Sequence, residues 1–96
     1  MLTSKQRAYL RGLANGIPAI FQIGKNGIND NMIQQIKDAL EARELIKVHV
    51  LESSMLDVRE ACNEIAALTG SEPVQVIGSK FVLYKESKDN KSIELT

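Results

Sequence analysis

Ninety-six residues with 44% apolar content supply one modest core. No apolar run reaches the roughly 18 residues that a membrane-spanning helix needs. The 12 basic and 12 acidic residues cancel, which excludes a uniformly basic nucleic-acid binder, and a lone cysteine, Cys62, excludes an internal disulfide.

In chain order, the first element is a helix. Thr3-Ser4-Lys5-Gln6 reads as a capping box, in which the Thr3 hydroxyl caps the helix and Gln6 reaches back. Tyr9, Leu10, Leu13 and Ala14 form an apolar stripe, while Ser4, Arg7 and Arg11 line another face. Asn15-Gly16-Ile17-Pro18 stops the helix, because Pro cannot continue it. Residues 18–23 then read as a short, largely buried strand. Asn29 is the expected N-cap of a second helix, which runs to about Ala42 and buries Met32, Ile33, Ile36 and Leu40. In Leu45-Ile46-Lys47-Val48-His49-Val50-Leu51, Ile46, Val48 and Val50 share one strand face, and Lys47 and His49 share the other. Ser54-x-x-Asp57 reads as the cap of a third helix carrying Val58, Ala61, Cys62, Ile65 and Leu68, with Thr69-Gly70 as its stop. The strands Val74-Gln75-Val76-Ile77 and Lys80-Phe81-Val82-Leu83-Tyr84 meet at Gly78-Ser79, a hairpin signal. Residues 85–96 are polar and expected to be a loose, flexible tail from residue 86.

The order α-β-α-β-α-β-β predicts an α/β fold with a mixed four-stranded sheet and three helices. Helix-separated strands predict parallel neighbours, and the closing hairpin predicts an antiparallel pair. Three helices are too few to cover both sheet faces, so part of the sheet is expected to stay open. The whole of residues 1–96 reads as a single domain. The N-terminal Met1-Leu2-Thr3-Ser4-Lys5-Gln6-Arg7 shows no apolar leader, and the expected location is cytoplasmic.

Catalysis has little support. His49 is the one histidine, which rules out His-ligated metal clusters, and its strand position makes it a rim residue. Cys62 falls on an apolar stripe and reads as a core thiol. Asp38 with Glu41 and Glu60 with Glu64 read as solvated helix faces. No nucleotide, thiol or hydrolase motif occurs. The expectation is no enzyme, no metal, no cofactor and no small-molecule substrate.

Binding has more support. Gly24-Lys25-Asn26-Gly27 stands between strand and helix, and two glycines let a partner's backbone approach closely. A Gly-x-x-Gly loop clamps nucleic-acid backbone in KH domains by this means. Asp30 in the following helical turn disfavours an anion on the helix axis, so phosphate is expected beside the loop and Lys25. A tight turn needing glycine explains the same residues without a ligand. Residues 1–28 hold four bases and no acid, residues 29–79 nine acids and four bases, and residues 80–96 four bases and three acids. Such segregation can place a positive patch on a neutral molecule. Four aromatic residues are too few for a stacking platform, and Phe81 and Tyr84 alternate faces, so one of them is expected in the core.

The chain resembles the YhbY-type CRM domains over about residues 2–85. The resemblance rests on Leu2-Thr3-Ser4-Lys5-Gln6-Arg7, Gln22-Ile23-Gly24-Lys25-Asn26-Gly27-Ile28, Ala39-Leu40-Glu41-Ala42-Arg43-Glu44-Leu45-Ile46-Lys47-Val48, Gln75-Val76-Ile77-Gly78 and Phe81-Val82-Leu83-Tyr84-Lys85. It implies an α/β sandwich similar to the C-terminal domain of translation initiation factor three. It also implies RNA binding through Gly24, Lys25, Asn26 and Gly27, with Lys5, Arg7, Arg11, Lys47, Lys80 and Lys85 as candidates for the flanking surface. For stand-alone bacterial members it implies ribosomal RNA in precursors of the large subunit as the partner. Asn15 stands where relatives often carry histidine, and Lys85 where they often carry arginine, which weakens bidentate contacts there. The expected protein is a monomer that binds RNA and no membrane. The alternative is a protein-interaction module whose acidic helices dock a basic ribosomal or assembly protein.

Overall fold

A computed structural model describes residues 2–95; Met1 and Thr96, the two ends of the expected domain, lie outside the described residues. Helix α1 spans Ser4–Ala14, strand β1 Ala19–Ile23, helix α2 Asp30–Arg43 and strand β2 Leu45–Val50. A single 3-10 turn at Glu52–Ser54 precedes helix α3, Val58–Thr69, and the strands β3, Glu72–Ile77, and β4, Lys80–Tyr84.

Local chemistry sets each helix start. The Thr3 hydroxyl accepts from the Gln6 N–H at 3.1 Å while the Thr3 N–H donates to Gln6 Oε1 at 3.0 Å, satisfying two otherwise orphaned donors. Asn29 caps α2 by accepting from the Met32 N–H at 2.9 Å. Helix α3 is capped by Asp57, which accepts from the Glu60 N–H at 3.0 Å, and not by the Ser54 box. Ser54 instead closes the 3-10 turn, its hydroxyl donating to the Leu51 carbonyl at 2.7 Å and accepting from the Leu56 N–H. Gly70 ends α3 with φ +69°, where an L side chain is strained.

The strands form one mixed sheet in the order β1-β2-β4-β3. Strands β1 and β2 are parallel, and β4 is antiparallel to both β2 and β3. Thus β2 and β3 do run parallel, as a helical crossover requires, but β4 is inserted between them. Strand β1 is an edge, and of its residues Ile23 alone is buried, so it is less buried than residues 18–23 suggest.

Both faces are covered over half the sheet's length. Ile36 and Leu40 of α2 and Ala61, Cys62 and Ile65 of α3 pack on Ile46, Val48, Phe81 and Leu83. Leu10 and Ala14 of α1 pack on Leu45, Val74, Val82 and Tyr84 from the opposite side. Phe81 and Tyr84 are therefore both core residues, one on each face; two covered faces remove the choice between them. Each fully buried Leu, Ile or Phe contributes about 1.5–3 kcal/mol. Cys62 is fully buried, and burial pushes its thiol up to about 11, with Arg59 opposing.

Some stripe residues lie outside the core. Tyr9 is 51% exposed and Leu68 50%, and Thr69 takes the buried place near the end of α3, its hydroxyl donating to the Ile65 carbonyl. The far half of the α1-side face is bare: Gln22, Ile77 and Lys80 are exposed there.

Residues 86–95 are not a loose end. Ile93 and Leu95 pack against the α1-side core, and Ser87 is buried. The polar composition that suggested looseness is consumed by two carboxylates described below.

Candidate functional site

The C-terminal ends of β1 and β2 and the β3–β4 hairpin meet at one end of the sheet. The Leu51 N–H donates to the Ile23 carbonyl at 2.8 Å, and the Val50 N–H donates to the Ser79 carbonyl at 2.7 Å. The 24–27 loop leaves from this end. Its Gly27 N–H donates to the Gly24 carbonyl at 2.9 Å, closing a four-residue turn with Lys25 and Asn26 exposed at its centre. Gly27 has φ +67° and open space around it, so glycine is needed there for conformation and not for room. At Gly24 the requirement differs: a Cβ there would sit 3.6 Å from Leu51 Cδ1 and 3.8 Å from Ser53 Oγ, an ordinary contact.

The N-terminus of α2 is not a bare anion site. The Asn29 side chain already takes the Met32 N–H, and Asp30 adds negative charge in the first turn. Neither feature favours an anion on the α2 axis.

The flanking candidates separate into groups. Lys80, paired with His49 and Ile77, shares the loop's end of the sheet and is exposed. Lys47 is half-buried on the face that α1 covers, near Arg43, in a groove described below. Lys5 and Arg11 are exposed on α1; Lys5 lines a shallow groove with Tyr9, Glu94 and Leu95. Arg7 is partly committed, its Nε donating to the Pro73 carbonyl at 3.3 Å. Lys85 stands at the opposite end of the sheet, about 17 Å away along five-residue β4. Its Nζ donates to the Thr69 carbonyl at 3.0 Å, so it caps the C-terminus of α3. The loop and Lys80 are thus brought together, and Lys85 is not with them.

Two cations escaped sequence reasoning. Arg59 of α3 joins Arg7 and Gln75 along the exposed β3 edge, and Arg43 joins Lys47. Both lie in the acid-rich middle of the chain, and no local pattern marks them.

Two glutamates also took on a role that helix spacing hid. Glu41 accepts from the Ser87 hydroxyl at 2.6 Å and from the backbone N–H groups of Asp89 and Lys88 at 3.0 and 3.1 Å. These donors, the Ser87 hydroxyl foremost, hold its carboxyl at about 2. Glu44 is fully buried with φ +66° and accepts from the N–H groups of Ser87, Ser92 and Ile93 at 2.7, 2.6 and 2.8 Å. Burial pushes its carboxyl up, but the backbone donors outweigh it and the net direction is down. Glu41 is therefore not a solvated carboxylate awaiting a partner.

Among the described residues, no helix is long and apolar enough to cross a membrane, and no cluster of three or more potential metal ligands occurs.

Comparison with known proteins adds four findings. The CRS1 / YhbY (CRM) domain family matches residues 2–85. The Bacillus subtilis protein named Probable RNA-binding protein YqeI is 54% identical over 95 residues, 99% of each chain. A Haemophilus influenzae protein named RNA-binding protein is 34% identical over 90 residues, covering 94% of this chain and 91% of that one. The solution structure of the hypothetical protein SAV1595 from Staphylococcus aureus is 56% identical, with a TM-score of 0.79 and full coverage of both chains.

Proposed function

The chain belongs to the CRS1 / YhbY (CRM) domain family, and from that premise we propose that it is an RNA-binding protein without catalytic activity. It grips RNA backbone at the 24–27 loop and acts on ribosomal RNA in large-subunit precursors, as a monomer in the cytoplasm. The observation that carries this reading is the closed turn at the end of the sheet, which presents Lys25 and Asn26 outward with Lys80 at the same end. The relatives named as RNA-binding proteins support the ligand class. The ribosomal target rests on the family resemblance.

Backbone clamping with few aromatics favours reading of shape over sequence. The rival, docking of a basic protein through the acidic helices, loses Glu41 to the 87–90 segment and is the weaker reading.

The test is RNA affinity against salt. About four phosphate contacts give a log–log slope of roughly −3. Lys25→Glu weakens binding at least about tenfold with an unchanged thermal midpoint, since one contact becomes a repulsion. Lys85→Gln leaves affinity unchanged, because that ammonium caps α3. Parent-like RNA affinity in Lys25→Glu removes the clamp.

A further inference from the structure

A groove of about 280 Å³ opens at the corner where the C-terminal ends of α1 and α2 meet the starts of β1 and β2. Its walls include Leu13, Ile17, Pro18 and Ile20, and the cations Lys47 and Arg43 line it. Among the described residues, no carboxylate lines it. Leu13 is 38% exposed at its lip, an apolar side chain that the fold leaves partly uncovered. Arg43 occupies the last turn of α2.

We propose that this groove takes one unpaired base of a single-stranded RNA whose backbone runs along β1 from the 24–27 loop; the inference rests on the RNA reading above and names the form of RNA it takes. Three observations carry it. The groove lies just below the roughly 300–1,000 Å³ of small-molecule pockets, room for a planar base but not for a helix of a partner protein. Its apolar walls with cations beside them match a base flanked by phosphates, and they repel the basic partners that the rival reading requires. Strand β1 is a sheet edge linking the two places, and its course from Pro18 to Gly24 spans about 20 Å. That is a reach of the order of the roughly four backbone nucleotides that a Gly-x-x-Gly loop clamps. A base stacked in a duplex cannot enter such a groove, whereas an unpaired one can be held between apolar side chains. The groove therefore selects single-stranded or looped RNA over a continuous helix.

The experiment is a coupling cycle on the full chain with an unstructured RNA heptamer in which each nucleotide in turn is made abasic. One position weakens parent binding by about fivefold to tenfold, the low end of a base contact because the walls are aliphatic. Leu13→Ser weakens the intact heptamer by the same factor, and the two losses do not multiply. Lys47→Gln weakens binding and lowers the salt slope by about one. None of these changes alters affinity for a duplex of equal length. Leu13 is partly exposed and Lys47 makes no buried bond, so thermal midpoints close to the parent verify that both variants fold. A flat abasic scan, or an abasic loss that still multiplies with Leu13→Ser, overturns the groove. If Lys25→Glu abolishes heptamer binding while the scan is flat, the loop reading stands and the groove alone falls. If Lys25→Glu binds like the parent, the loop reading falls and takes the groove with it.

Discussion

The two ends of the sheet treat their polar groups in opposite ways. At the end where β2 starts and β4 finishes, Glu41 and Glu44 collect hydrogen bonds from residues 87–93, and Lys85 serves the α3 carboxyl terminus. At the other end, Lys25 and Asn26 project from a closed turn, and Lys80 stands on the half of the α1-side face that is left bare. Charge is present at both ends, yet at one the two glutamates and Lys85 are spent within the chain, leaving Arg43 and Lys47 open in the groove, and at the other it faces outward.

The largest test of this contrast is Glu44→Ala. Removing the carboxylate strands three backbone N–H groups, at about 1–3 kcal/mol each when buried. With partial rescue by water the expected loss is about 3 kcal/mol, read from urea unfolding, together with rapid amide exchange at Ser87, Ser92 and Ile93. A loss below about 1 kcal/mol would show that this end is not internally closed.

The loop end is expected to respond less. Gly27→Ala places an L residue at φ +67° and costs about 1 kcal/mol, although nothing obstructs the new methyl group. Gly24→Ala meets ordinary contacts, has no positive φ, and is expected to change stability by less than about 0.5 kcal/mol. Equal costs at the two glycines would mean that space, and not conformation, governs the turn.

The smallest effect is a pH dependence confined to the closed end. Glu41 titrates at about 2 in the folded chain, against an ordinary value of 4.5. The unfolded chain therefore binds more protons between these values, and stability rises with pH across that window. The contribution is complete above about 4.5 and disappears as pH falls toward about 2. Thermal midpoints measured against pH should show this acid limb, and Glu41→Gln should flatten it. An unchanged limb in Glu41→Gln would assign the effect to other carboxylates.

Much of the local architecture was legible in the chain. The Thr3–Gln6 box, the Asn29 cap, the Thr69-Gly70 stop and the Gly78 hairpin all involve residues within a few positions of each other, and all are present. Where two local signals compete, as with Ser54 and Asp57, spacing alone chose the wrong one, because the 3-10 turn consumed the Ser54 hydroxyl. The loop was legible for the same reason as the caps: its closure is a bond between Gly27 and Gly24.

Sequence alone determined which segments become helix, strand and turn, since periodicity and capping act over one or two turns of chain. It also marked the 24–27 loop, by glycines whose conformational freedom is local. Only the tertiary structure decided that β4 lies between β2 and β3, which sets Lys80 beside His49 at the loop's end of the sheet. It alone brought Arg43 beside Lys47, and bound Glu41 and Glu44 to a segment more than 40 residues away. Those pairings arise when helices pack on the two sheet faces and residues 87–93 fold back on α2, and the position of a residue in the chain carries no record of what will then stand beside it.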